Sequence, residues 1–184
     1  MVQSDYFLWN DLKDKSHIPR INRMFSVAEV NPSLRPAYTG CNKEISSIFE
    51  LRGINMNMNE RTEVAVKLKH ASCNCCQAVV LALSDLTPIS EEALKDIASG
   101  FGSGMGNMEA TCGALVGAGI AAGIITEGKM TVRYTRRIVE LFRNKCGAVT
   151  CADLKGRSTG RVLCSCDDCV KNAVLSFGEV FGMK

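Results

Sequence analysis

The chain has 184 residues, enough for one domain that buries its own core without covalent staples, and its net charge is +3 with acidic and basic residues interspersed. That balance excludes a basic nucleic-acid-binding stripe and an amphipathic membrane-surface segment. The one unusual column is cysteine, with ten copies.

The first fifteen residues, MVQSDYFLWNDLKDK, mix acids and bases where a signal peptide needs a basic start and an apolar run, which predicts a cytoplasmic protein. In a reducing compartment structural disulfides are rare, so clustered thiols point to metal, iron–sulfur or redox chemistry. Residues 1–58 hold the single tryptophan, Trp9, and three of the four prolines, Pro19, Pro32 and Pro36, without a long helical repeat. They read as an irregular N-terminal arm with one or two short helices, in which Cys41 has no assigned role.

Residues 59–184 read as a cysteine-rich helical domain. Asn59 is the expected N-cap of a helix reaching to about Ser84, with Val64, Leu68, Ala71, Cys75, Val79 and Ala82 on one face. Cys75 and Cys76 then lie at or beside the buried face, and Cys73 shares a more polar edge with His70 and Gln77. His17 and His70 read as ordinary surface or edge histidines, His70 being the better ligand candidate of the two. Thr87-Pro88 breaks the chain, Ser90 caps, and Glu91 and Glu92 favour a second helix running into Ser99.

The stretch from Ser99 to Gly123, SGFGSGMGNMEATCGALVGAGIAAG, begins as a glycine loop and becomes a buried helix. Glycines let backbone amides approach a negatively charged group, and Gly102, Gly104, Gly106 and Gly113 are the candidate positions for holding one. Cys112 is expected in the first helical turn, where unpaired amides and the dipole lower a thiol pKa. A dinucleotide fingerprint is excluded because SEEALKDIA before the loop reads as helix rather than strand, and no P-loop lysine follows. The uncharged run from Ala110 to Thr126 is seventeen residues, short for a membrane span. Its glycine spacings predict close helix packing, either inside the bundle or across a homodimer contact.

Gly128 separates this helix from another over Thr131 to about Lys145, with Ile138, Leu141 and Phe142 inward. Cys146 and Cys151 flank a turn, and a polar linker from Gly156 to Arg161 leads to Cys164, Cys166 and Cys169. A last helix turns Val170, Ala173, Val174 and Phe177 inward, with Asp167 and Asp168 in its first turn. No stretch alternates with period two, so the expected fold is an all-α bundle of about five helices.

Nine cysteines therefore fall in four places: 73/75/76, 112, 146/151 and 164/166/169. Nearly all-sulfur donors with two histidines in the chain suit an iron–sulfur cluster or zinc. Zinc is the alternative through the two C-x₂-C pairs, Cys73/Cys76 and Cys166/Cys169, and a metal-free thiol–disulfide exchanger is the third. Electron transfer needs no acid–base constellation, and none is recognisable here.

From Asn74 onward the sequence resembles the C_GCAxxG_C_C family of redox-active proteins, whose domain also occurs in split-Soret cytochromes. The pieces are Asn74-Cys75-Cys76-Gln77-Ala78-Val79, Gly100-Phe101-Gly102, Cys112-Gly113-Ala114 with Gly117, Cys151-Ala152-Asp153-Leu154 before Gly156, and Cys166 four residues ahead of Val170. The family label reads Gly-Cys-Ala where this chain reads Cys112-Gly113-Ala114, and no haem-attachment C-x-x-C-H occurs. The resemblance implies Cys75, Cys112, Cys151 and Cys166 as ligands of an iron–sulfur centre that exchanges electrons with a redox partner protein. Cys73, Cys76, Cys146, Cys164 and Cys169 are extra cysteines close to those positions.

Overall fold

The computed structural model describes residues 56–184, and the expected arm with Trp9, His17 and Cys41 lies outside the described residues apart from its last three positions. The described part is helical, as expected. In order the helices are α1 (Met58–His70), α2 (Cys75–Ala82), α3 (Glu91–Ile97), α4 (Gly113–Ile125), α5 (Thr131–Cys146), the single turn α6 (Cys151–Leu154) and α7 (Cys166–Phe181). Among the described residues the only β pairing is one isolated antiparallel bridge, Thr111 with Thr150. Also among the described residues, no helix is long and apolar enough to cross a membrane.

One expectation fails in an informative way. The single helix expected from Asn59 to Ser84 is two helices, with a break at residues 71–74. Its cap is Asn57, whose side chain accepts from the Glu60 amide while Glu60 returns a bond to the Asn57 amide. The break itself follows from local chemistry. Ser72 takes a left-handed φ of 76°, and Asn74 opens a second capping box with Gln77. The chain therefore turns at the cysteine cluster, and Cys73, expected on a polar edge, is buried.

Elsewhere the periodicity holds. Ser90 caps α3, Gly128 sits in the turn before α5 at φ 75°, and Val170, Ala173, Val174 and Phe177 are fully buried along α7. Helix α7 packs on α1, α4 and α5, while α2 packs on α1 and α4. Phe142 and Phe177 are fully buried in the core, and Phe177, Phe181 and Tyr134 form an aromatic stack. Arg61 is buried inside the bundle, where its guanidinium donates to the Ala82 carbonyl at 3.1 Å and grips the Asp85 carboxylate with both arms.

The tight packing expected of the glycine-rich helix lies inside the bundle at Gly117. A Cβ there would stand 2.6 Å from the Cys76 carbonyl oxygen and 3.1 Å from Val79 Cβ. Backbone cannot yield as a flexible side chain does, so α2 and α4 would have to separate. Gly117→Leu is expected to destabilise the fold by roughly 1–3 kcal/mol or more, the usual cost of overpacking. Thermal unfolding of the purified variant checks this, and an unchanged midpoint contradicts the contact.

Candidate metal centre

The described cysteines enter one region from the ends of several helices. Cys75 and Cys76 open α2, Cys112 is the N-cap of α4, Cys146 closes α5, Cys151 opens α6, and Cys164, Cys166 and Cys169 surround the start of α7. Helix starts are where amide N–H groups lack partners, so sulfur placed there meets donors rather than acceptors.

Three local devices set the positions. First, the Asn74 side-chain oxygen accepts from the amides of Cys76 and Gln77, both at 2.9 Å, and its amide nitrogen donates to the Ser99 carbonyl at 2.9 Å. One residue thus caps α2 and anchors the glycine loop to it. Second, the Thr111–Thr150 bridge is flanked by bonds from the Cys112 amide to the Val149 carbonyl, 2.8 Å, and from the Cys151 amide to the Ala110 carbonyl, 3.0 Å. Cys112 and Cys151, far apart in sequence, are held side by side. Third, the Leu154 carbonyl accepts from the amides of Leu163 and Cys164, at 3.0 and 3.3 Å, returning the polar linker to α6.

The glycine loop runs through a short 3₁₀ turn, Ser99–Phe101, and a five-residue π turn, Gly104–Met108. Ser103, Gly104, Met105 and Gly106 all have positive φ, so the loop curls on itself. Of the four candidate glycines, three lie where this curl meets the helix starts. Gly102 lies against Asn74, a Cβ on Gly104 would be 2.7 Å from Cys151 Cβ, and a Cβ on Gly113 would be 2.5 Å from the Phe101 carbonyl and 2.6 Å from Cys75 Sγ. Gly106 is exposed, its surroundings are open, and its amide is spent on the Gly102 carbonyl at 2.9 Å.

The sulfurs divide into two sets. Cys146, Cys164 and Cys169 form a compact buried triad whose Sγ atoms all lie within 4.8 Å of one another. Asn172 Nδ2 donates to Cys146 Sγ at 3.3 Å, and Lys155 Nζ donates to Cys169 Sγ at 3.6 Å and to the Cys164 carbonyl at 2.8 Å. Cys75, Cys112, Cys151 and Cys166 are electrostatic neighbours instead: Cys75 and Cys151 each respond to Cys112 and Cys166. The Cys112 thiol donates to Cys169, joining the two sets. Of the two C-x₂-C pairs, only Cys169 belongs to the compact triad. Cys73 and Cys76 are buried beside apolar core, and His70 pairs with Asp167 at 3.0 Å, tying α1 to α7.

Burial governs the thiols. The Cys112 pKa, expected to be low, is raised: its hydrogen bond to Cys169 and its burial outweigh the amides of Ala114 and Leu115, which pull the other way. Burial likewise raises Cys75, against a lowering hydrogen bond from the Ser103 amide, and raises Cys151. Cys76 is pushed up to about 12, by burial first and then by Cys75 and Cys112. Lys155 is raised despite its own burial, because Cys169, Cys166 and Cys112 favour its charge. Sequence reasoning missed Lys155 and Asn172. The available signal was helical offset, since Lys155 follows Cys151 by four residues and Asn172 follows Cys169 by three.

The family model described as "Putative redox-active protein (C_GCAxxG_C_C)" matches residues 73–180, more than half of the chain and all nine described cysteines. No curated protein and no solved structure matches the chain.

The raised thiols carry a signed consequence for the metal-free, reduced protein. Below the unfolded thiol value near 9, both states keep their protons and stability is complete. Above it the unfolded chain releases protons that the folded chain retains, so stability falls as pH rises; raised Lys155 acts in the same direction. The urea midpoint is expected to be lower at pH 10 than at pH 7, measured with chelator and reductant present. An equal or higher midpoint at pH 10 would show that the buried thiols do not resist ionisation.

Proposed function

We propose that this chain, which belongs to the C_GCAxxG_C_C family, is an electron-transfer protein in which Cys75, Cys112, Cys151 and Cys166 hold an iron–sulfur cluster. What supports this reading is that the four thiols the family resemblance implies each stand at the start of a separate helix. They are mutual electrostatic neighbours, and the Cβ-free face of Gly113 lies against the sulfur of Cys75. The donor chemistry fits the group, because all four ligands are soft sulfur.

When bound, such a cluster supplies an electron couple that needs no acid or base from the protein. The chain's own residues would set how readily the centre accepts charge. The Ser103 amide donates to Cys75, the Ala114 and Leu115 amides donate to Cys112, and the Lys155 ammonium adds a positive charge beside Cys169 and Cys166. All of these favour the more negative, reduced state and so raise the potential. Cys166 is the exposed member of the set and marks the side on which a redox partner protein would approach. A cytoplasmic setting, where thiols stay reduced, suits nine described cysteines that form no disulfide.

The first test is iron and acid-labile sulfide analysis, with an absorption spectrum, on full-length protein purified without oxygen. Iron with matching sulfide, and visible absorption that bleaches on reduction, is expected. Cys75→Ser or Cys151→Ser should lower iron content severalfold while helicity by circular dichroism is retained. Colourless protein that takes up no iron and sulfide on anaerobic reconstitution would remove the reading.

Lys155→Met is the second test. Loss of the ammonium should lower the reduction potential by on the order of tens of millivolts without changing iron content. A potential that stays the same or rises would show that Lys155 does not act on the centre.

A further inference from the structure

We propose that Cys146, Cys164 and Cys169 are a second metal site, separate from the four family positions, which takes one divalent thiophilic ion of the zinc class. The three sulfurs already lie within 4.8 Å of one another. Thiolates on one ion with metal–sulfur bonds of about 2.3 Å stand roughly 4 Å apart, so small side-chain rotations close the remaining gap. The relative exposures are 3%, 7% and 1%, so the three donors lie away from bulk water, and the fourth position of a tetrahedral ion would be taken by a water or another small ligand. The ligands come from the last residue of α5, the loop before α7 and the first turn of α7. One ion would add a further tie between segments already joined by packing and by the Asn172–Cys146 hydrogen bond.

The surrounding groups fit that charge. Three thiolates around a divalent ion leave one net negative charge, and the Lys155 ammonium at 3.6 Å from Cys169 Sγ neutralises it. A monovalent ion would leave two negative charges against one lysine in a buried place, which is costly. Asn172 Nδ2, at 3.3 Å from Cys146 Sγ, donates to a second sulfur. Lys155 also holds the Cys164 carbonyl at 2.8 Å, so one side chain fixes two of the three ligand residues. Soft donors without a carboxylate or imidazole select zinc, cadmium or cobalt(II) over magnesium or calcium. Binding replaces three thiol protons by the ion and releases them to solvent, so atoms and charge balance without any oxidant.

The site does not depend on the cluster reading, and the test separates the two. Full-length protein with Cys75→Ser, Cys151→Ser and Cys166→Ser is titrated with zinc and, separately, with cobalt(II), without oxygen. One equivalent of zinc, and a thiolate-to-cobalt charge-transfer band, is expected from this variant. The complementary variant, Cys146→Ser, Cys164→Ser and Cys169→Ser, should lose that equivalent and that band while keeping the wild-type iron and sulfide content. Should the triple variant fail to fold, the single loop substitution Cys164→Ser is read instead, with zinc affinity expected to fall at least tenfold at unchanged helicity. The proposal is overturned if the family-position variant binds no zinc, or if the triad variant binds as much as the wild type. It is equally overturned if removing the triad removes the iron, because the two sets would then be one site.

Discussion

Two backbone hydrogen bonds beside the Thr111–Thr150 bridge, from the Cys112 amide to Val149 and from the Cys151 amide to Ala110, hold the cysteine region together. They place the start of α4 beside the start of α6, and the glycine loop has no other course than to fold over them. Gly104 then rests on Cys151, Gly113 rests on Cys75, and Arg157 reaches across to the Asn107 carbonyl at 2.8 Å. Among described residues that are otherwise helices and loops, this short extended contact does what a sheet does elsewhere: it pairs residues remote in sequence with fixed register. The cysteines inherit that register.

The arrangement carries an energetic tension. Burial and mutual proximity keep the thiols protonated in the free chain, although they are the groups that soft metals need deprotonated. Amides at helix starts and the Lys155 ammonium oppose this in part, and a bound cation would oppose it fully. The rest of the domain does not share the tension. Around Phe142 and Phe177 the core is apolar and closed, and the buried Arg61 is matched by the Asp85 carboxylate and a carbonyl.

The C_GCAxxG_C_C family match spans all nine described cysteines, and their surroundings differ from one group to the next. Cys73 and Cys76 are taken up in the core beside α2, where Cys76 is wholly buried. Cys146, Cys164 and Cys169 gather compactly beside the Lys155 side chain.

The sequence by itself determined the helical class, the cap at Ser90, the course of α3, α5 and α7, and which residues are sulfur donors. These are local properties, read from a 3.6-residue period and from side chains that bond their own backbone. It misplaced the break in the first long helix because the apolar spacing from Val64 to Ala82 runs through residues 71–74 almost unchanged, and Ser72 adopts a left-handed turn where glycine is the usual sign. It also gave Cys112 the wrong pKa direction, since the local helix start was legible and the neighbouring Cys169 was not. Only the tertiary structure decided which cysteines meet. Cys146 finds Cys164 and Cys169 because α5 packs on α7, and Lys155 finds them because the linker folds back to Leu154. Proximity between residues far apart in sequence comes from the closing of the whole core, and no local pattern encodes it.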